Sequence, residues 1–142
     1  MKKIIFKIDA DEDDWPPVAS EGIWCEQKDD LYTICNAPFF VKGIAYGDTV
    51  RIRGVGDNEF AIEEVVEKSG NSTVWLYFGN KEVNKNLIED LGHLGCGYEG
   101  GAVEGYFSVN VPKGVSMDEV SKIIALAEER GDVFAAYPAD RH

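Results

Sequence analysis

Apolar residues recur at strand spacing in the first half of the chain, and at both strand and helix spacing in the second half. Up to about residue 70, short β-prone segments alternate with glycine-rich turns, and Val50 and Ile52 face the side opposite their arginine neighbours. Four to six such strands predict a small, strongly bent antiparallel sheet or barrel-like unit. We expect its outer face to carry the charged residues Arg51, Arg53, Glu63 and Glu67.

The second half has two segments with helical spacing among its strands. Val83, Leu87, Leu91 and Leu94 predict one helix, and the capping box that begins at Ser116 predicts another from about residue 117 to 130. Strands are predicted at 73–78, 98–104, 106–111 and 133–137. The order βαββαβ predicts a ferredoxin-like half, in which two helices cover one face of an antiparallel sheet.

These patterns place the chain in the α+β class and divide it at one turn. Residues 69–72 read Ser-Gly-Asn-Ser, which is turn chemistry, and no long linker or internal repeat is evident. We therefore expect a β-rich half at 1–70 and a ferredoxin-like half at 71–142. We expect the two halves to pack as one unit.

Cysteine usage and hydropathy indicate the compartment. Cys25, Cys35 and Cys96 form an odd set without a close CxxC pair, which is typical of reduced thiols. No stretch approaches the roughly 20 apolar residues that cross a bilayer, and Lys7 interrupts the N-terminal apolar run. We expect a cytoplasmic protein.

The net charge limits the classes of partner. The chain has 26 Asp and Glu against 14 Lys and Arg, a formal charge of −12. Nucleic acids and anionic membranes are bound largely through Lys and Arg, so neither is an expected partner. A basic protein would be attracted by the same field and would associate faster.

An incomplete calcium-loop pattern follows the first predicted strand. Asp9, Asp11 and Asp13 have the spacing of the first three ligands of such a loop. Asp14 stands where the turn glycine belongs, and Ser20 stands where the bidentate glutamate belongs. A solvated acidic loop is the favoured interpretation, and no metal is predicted.

A zinc site is also disfavoured. His93 with Cys25, Cys35 and Cys96 has the ligand chemistry that tetrahedral zinc prefers. Only His93 and Cys96 are close in sequence, whereas Cys25 and Cys35 lie on what the pattern predicts to be separate strands. Buried apolar thiols are the favoured interpretation.

Nucleophilic catalysis lacks a convincing base. His93 lies at the end of a predicted helix, where it can satisfy terminal carbonyls, and His142 is expected to be mobile. Ser69 and Ser72 lie in a glycine turn that could hold an anion, but these residue types are also ordinary turn formers. We predict no enzyme activity, no catalytic residue and no cofactor.

Several short segments, taken in their order along the chain, form a pattern that is more specific to one protein family than any single segment. They are Trp15-Pro16-Pro17-Val18 with Glu21 and Trp24, Asn36-Ala37-Pro38-Phe39-Phe40-Val41, Gly47-Asp48-Thr49-Val50, Ser69-Gly70-Asn71-Ser72-Thr73, and Leu94-Gly95-Cys96 with Glu99. Together they resemble the bacterial family catalogued as domain of unknown function 4265. The resemblance implies a bacterial, cytosolic small domain and supplies no mechanism. Asn71 stands where the family pattern leads us to expect a histidine.

Acidity without a catalytic constellation favours a binding protein. The leading hypothesis is a bacterial immunity protein that occludes the active site of a basic nuclease toxin, because such toxins are cationic to bind phosphate. Its expected contacts combine acids with aromatic anchors: Asp11, Glu12, Asp13, Asp14, Trp15, Asp29, Asp30 and Tyr32.

Three alternatives remain open. One is an enzyme of unknown type, which would need His93 hydrogen-bonded to Cys96 or a serine in a cleft. The surplus acids can serve solubility alone. The protein can also be a small-molecule-binding regulatory domain of ferredoxin-like type, for which we expect an enclosed pocket near Trp24, Trp75 and Tyr98.

Overall fold

The computed structural model describes residues 1–10 and 15–142, and these form two compact units. Unit 1 comprises Met1–Ser69 and unit 2 comprises Gly70–His142. Unit 1 is a closed barrel, and unit 2 is a four-stranded sheet with two helices. The predicted mixed α+β class is therefore confirmed.

The barrel of unit 1 is formed by five strands in chain order. They are β1 (Lys2–Lys7), β2 (Ser20–Lys28), β3 (Leu31–Ile34), β4 (Thr49–Gly56) and β5 (Glu59–Glu67). Consecutive strands pair antiparallel, and the parallel pairing of Phe6 with Phe60 joins β5 to β1. Closure leaves the sheet without a free edge strand, which removes a template for unwanted pairing.

Strand alternation fills the inside of the barrel. Because successive side chains point to opposite faces, every second residue of a strand turns inward. Ile23 and Cys25 of β2 are fully buried, whereas Trp24 between them is exposed. The buried interior cluster consists of Ile4, Phe6, Ile23, Cys25, Ile34, Ile44 and Val50.

Two irregularities in β5 disturb this alternation. Arg51 and Ile52 of β4 pair with Glu64 and Ile62, so Glu63 has no partner in β4. A second shift of the register skips Val66 in the same way. Glu63 and Val66 are both exposed, as expected for the extra residue of a β-bulge.

Unit 2 begins with the strand β6 and alternates strands with two helices. Its elements are β6 (Ser72–Tyr77), α1 (Lys85–His93), β7 (Gly97–Gly100), β8 (Tyr106–Val111), α2 (Met117–Glu129) and β9 (Phe134–Ala139). The strand order is β7-β8-β6-β9, and all three pairings are antiparallel. The helices and the sheet share one apolar cluster, which includes Leu91 of α1, Ile124 of α2 and Val109 of β8.

Side-chain caps set where the helices begin. The Oγ atom of Ser116 accepts the Glu119 N–H at 3.3 Å, as the capping box predicts. The Asn84 side chain accepts the Leu87 N–H at 3.1 Å, so α1 begins at Lys85 although the apolar spacing starts at Val83. Among the described residues, neither helix has the length and apolarity needed to span a bilayer.

Candidate functional site

The outer surface of the barrel carries a row of polar residues across β2–β5. Glu26 pairs with Thr33, Thr33 with Thr49, and Thr49 with Glu67, so one line crosses the four strands. The hydroxyls of Thr33 and Thr49 are 3.4 Å apart at its centre. Glu26 and Glu67 at the two ends are exposed. The line is thus neutral in the middle and acidic at both ends.

A second pair of carboxylates flanks this line. Arg51 on β4 contacts Asp30 through Nη1 at 2.6 Å and Glu64 through Nε at 3.2 Å. Both carboxylates are more than half exposed. We call the surface formed by Glu26, Asp30, Thr33, Thr49, Glu64 and Glu67 the acidic face.

Arg51 fixes the geometry of the acidic face. Its guanidinium ties the β2–β3 hairpin to β5, and the contact with Glu64 followed by the charge of Asp30 raises the pKa of Arg51. Such exposed ion pairs contribute little to stability. Their effect here is to hold Asp30 and Glu64 on either side of one cation.

Most of the surrounding charge is not neutralised. Glu26, Asp29, Glu63 and Glu67 are exposed, and none forms an ion pair with a residue in the described part of the chain. Glu63 is exposed because it occupies the bulge in β5. Four cations lie in the same region, namely Lys28 at the end of β2, Arg51 and Arg53 on β4, and Lys68 directly after β5, and six carboxylates surround them. The face therefore has a net negative charge.

The structure brings only some of the expected contact residues to this surface. Asp29 and Asp30 form the exposed tip of the β2–β3 hairpin. Tyr32 is half-buried and packs against the interior cluster of the barrel, where it supports the wall. Asp11, Glu12, Asp13 and Asp14 lie outside the described residues.

Two tryptophans have different environments. Trp15 is half-buried, and its ring lies edge-on to Phe40 with centroids 6.2 Å apart. Trp24 is 47% exposed on the outer surface of β2, next to Glu26. Sequence reasoning did not predict that Trp24 is an exposed aromatic residue beside these acids, although its position between the inward-facing Ile23 and Cys25 indicates it.

A buried carboxylate supports the loop after β3. Glu21 is 8% exposed and accepts the main-chain N–H groups of Phe39, Phe40 and Val41 at 2.6, 2.9 and 3.0 Å. Burial raises the pKa of Glu21, and the three N–H donors oppose that effect. Its partners are all main-chain groups, which indicates a structural role.

Ser69, in the turn after β5, also has a structural role. The Asp48 carboxylate is fully buried and accepts the N–H of Ser69 at 2.9 Å and that of Ala45 at 2.9 Å. The Oγ atom of Ser69 lies 2.8 Å from the carbonyl oxygen of Tyr46. The Ser69 N–H that an anion would need is therefore occupied by a carboxylate.

The His142 ring makes hydrogen bonds through both nitrogens, while the expectation that this residue is mobile stays a prediction. Its Nε2 atom lies 2.9 Å from the carbonyl oxygen of Pro112 and its Nδ1 atom lies 2.6 Å from Ser72 Oγ. A carbonyl can only accept, so Nε2 carries a hydrogen, and Nδ1 shares the second hydrogen bond of the ring with the Ser72 hydroxyl. Ser72 Oγ also accepts the N–H of Arg141 at 2.8 Å.

The candidate metal ligands lie in separate environments. Cys25 is inside the barrel, where burial and the nearby Cys35 raise its pKa to about 12. Cys96 is in the core of unit 2, where burial raises its pKa, and His93 is exposed at the end of α1. No group of three or more His, Cys, Asp or Glu suited to a metal ion occurs within residues 1–10 and 15–142.

Comparison with known proteins gives a family and a fold. The family model described as Domain of unknown function (DUF4265) matches residues 21–134. The chain is also similar to a crystal structure described as a hypothetical protein from Neisseria gonorrhoeae. That similarity has a TM-score of 0.79 and 20% identity and covers 98% of this chain and 96% of the other, so it shows the fold alone. None of the curated proteins matches the chain.

Proposed function

Because the chain belongs to the DUF4265 family, whose description assigns no activity, we propose a function from the chemistry of the acidic face. The protein binds a basic protein partner in the cytoplasm, and that partner is a nuclease toxin. Binding occludes the active site of the toxin, so the protein acts as a bacterial immunity protein. The resemblance noted in the sequence is compatible with this proposal and does not specify it.

One observation carries the proposal: on the surface of β2–β5, exposed carboxylates outnumber the cations that lie among them. Glu26 and Glu67 end a hydrogen-bonded line of four residues, and Asp30 and Glu64 share the guanidinium of Arg51. Strands lie about 4.8 Å apart, so Glu26 and Glu67 are separated by about 14 Å along the sheet. Because Asp30 and Glu64 already contact Arg51, their side chains have less conformational entropy to lose when a partner binds.

Nuclease toxins offer the complementary charge. A nuclease binds phosphates with Lys and Arg, so its active site is positive and attracts a surface of regularly placed carboxylates. Electrostatic complementarity of this kind raises the association rate and suppresses wrong partners. The same complementarity makes association slower as salt is added.

The acid run Asp11–Asp14 and Trp15 remain predicted contacts of the partner. They precede β2, and four consecutive carboxylates would enlarge the negative field. Tyr32 remains a predicted contact through its exposed part only, since it packs against the barrel interior.

The proposal requires that a cationic nuclease domain is encoded beside the gene for this protein, and that domain is the partner used in the test. Nuclease activity and complex formation are measured with the wild type, with Glu26→Lys/Glu67→Lys on the acidic face, and with Glu104→Lys/Glu129→Lys on unit 2. Both double variants change the net charge equally. We expect the face variant to bind roughly tenfold or more weakly and to lose inhibition, while the control stays close to wild type.

Two results would reject this function. One is the absence of a complex at low salt. The other is equal weakening in both double variants, which would mean that net charge alone matters and that the acidic face is not the binding surface.

The ferredoxin-like type of unit 2 is a further part of the proposal. The succession β6, α1, β7, β8, α2, β9 and the antiparallel order β7-β8-β6-β9 support it. A small-molecule role has weaker support. The groove beside α2 is open and includes the carboxylates of Asp118, Glu128 and Asp140, so it lacks the enclosure that small-molecule sites have.

A further inference from the structure

The Trp24 indole is exposed on a strand whose main chain is held by hydrogen bonds. Its ring lies on the outer surface of β2, and the residue is 47% exposed. The main-chain N–H of Trp24 donates to Oδ1 of Asn36 at 2.8 Å, and its carbonyl oxygen accepts the N–H of Cys35 at 2.8 Å. An aromatic side chain on a fixed backbone loses little entropy when a partner contacts it, which is the property of a hot-spot residue.

Lys3 on the neighbouring strand already places a cation on this ring. Its Nζ atom lies 5.9 Å from the ring centroid of Trp24, within the range of a cation–π contact. Gly22 makes the approach possible, because a Cβ atom at that position would lie 2.4 Å from Lys3 Cε. The Lys3 side chain therefore passes over a residue without a side chain to reach the indole.

Lys3 contacts an aromatic ring and not a carboxylate. Lys3 forms no ion pair with any residue in the described ranges, although the chain has 26 acidic residues. Its ammonium group lies over the Trp24 ring. The indole face is thus a cation-binding position that an internal ammonium occupies in the free protein.

We propose that the indole of Trp24 is the subsite for an arginine of the basic partner, and that Lys3 occupies this subsite until the partner displaces it. This inference rests on the proposed function, since it requires a cationic partner at the acidic face. A guanidinium is planar and less strongly hydrated than an ammonium, so it stacks better on the indole. Glu26 follows two residues along the same outer surface, about 7 Å away, and can pair with the same arginine.

Hexa-arginine and hexa-lysine peptides at low salt are the probes for this subsite. The titration is followed by NMR through the indole Nε1–H resonance of Trp24, which is assigned with Trp24→Phe. Affinities are measured for the wild type, Trp24→Leu, Trp24→Phe and Lys3→Gln. Lys7→Gln is the matched control, because Lys7 is an exposed lysine of the same strand and its loss changes the charge equally.

The subsite predicts a distinct pattern of affinities. Hexa-arginine should shift the Trp24 resonance and bind more tightly than hexa-lysine. Trp24→Leu should weaken hexa-arginine binding about two- to fivefold, the range for an exposed cation–π contact, with Trp24→Phe in between. Lys3→Gln should bind about two- to fivefold more tightly than Lys7→Gln, since only Lys3 competes for the ring.

Three results would each overturn the subsite. They are a Trp24 resonance that hexa-arginine does not shift, a Trp24→Leu variant that binds hexa-arginine as tightly as the wild type, and equal gains in affinity in Lys3→Gln and Lys7→Gln. The Glu26→Lys/Glu67→Lys variant separates this failure from failure of the proposed function. If that variant loses the peptides while the Trp24 variants retain them, the acidic face stands and the arginine subsite falls. If no peptide binds, the subsite falls as well.

Discussion

Glu21 and Phe39 are joined by a 2.6 Å hydrogen bond between a buried carboxylate oxygen and a main-chain N–H. The other oxygen of the same carboxylate accepts the N–H groups of Phe40 and Val41. One side chain of β2 therefore orders three consecutive residues of the loop after β3. An acceptor-only group is required, because every partner is a donor.

Glu21→Gln is expected to destabilise the protein by about 1–3 kcal/mol. The amide replaces one carboxylate oxygen with an NH₂ group, which would face a main-chain N–H and leave a buried donor without an acceptor. The free energy of unfolding in urea measures the loss. Glu26→Gln is the matched control on the exposed side of β2, and we expect it to change stability by less than about 0.5 kcal/mol. Equal effects of the two substitutions would contradict the structural role of Glu21.

The pH dependence of stability gives a second test of Glu21. Burial raises the pKa of Glu21, so the folded state binds this proton more tightly than the unfolded state does. The contribution of the group to stability is then greatest below the pKa of an unfolded glutamate, about 4.3, and decreases as pH rises through the folded pKa. The stability of the wild type relative to Glu21→Gln should therefore fall with pH across this window and level off above it. A difference that increases with pH would show that the N–H donors outweigh burial.

The sequence predicts the elements of both units because their signals are local. Alternation of apolar residues located the strands, and the capping box at Ser116 located the start of α2. The closure of the barrel was harder to predict from the sequence. It depends on the pairing of Phe6 with Phe60, two residues far apart in sequence, and no local pattern specifies such a contact.

The candidate surface was harder to predict than the fold. Charge alone indicated Asp29 and Asp30, but not that Arg51 would draw Asp30 towards Glu64. The bulge that exposes Glu63 breaks the period of two, so alternation cannot assign the residues around it. Glu21 illustrates the opposite difficulty. Its charge contributes to the net charge of the sequence, but the loop that it supports buries it, so it does not belong to the surface.

The contact between Ser72 and His142 predicts how the last residues are held. Ser72→Ala removes the acceptor for the Arg141 N–H and the hydrogen-bond partner of His142 Nδ1. We expect faster hydrogen exchange of the Arg141 amide and a stability loss of about 1–3 kcal/mol, because Ser72 is fully buried. Ser121→Ala on α2 is the control, since its hydroxyl donates to Asp118 within one helical turn. Unchanged exchange at Arg141 in Ser72→Ala would argue against the contact.

Substitution of Arg51 is expected to strengthen the attraction of the acidic face for a basic partner, although it removes two ion pairs. It is the cation that Asp30 and Glu64 share, so Arg51→Gln leaves both carboxylates available and makes the acidic face more negative. We expect association with the basic partner to be about two- to fivefold faster at low salt, and the gain to shrink as salt is added. The unfolding midpoint should change little, since the ion pairs are exposed. Stopped-flow mixing measures the rates, with Arg53→Gln as the control of equal charge on the same strand. A slower association in Arg51→Gln than in Arg53→Gln would mean that the position of Asp30 and Glu64, which Arg51 maintains, matters more than their net charge.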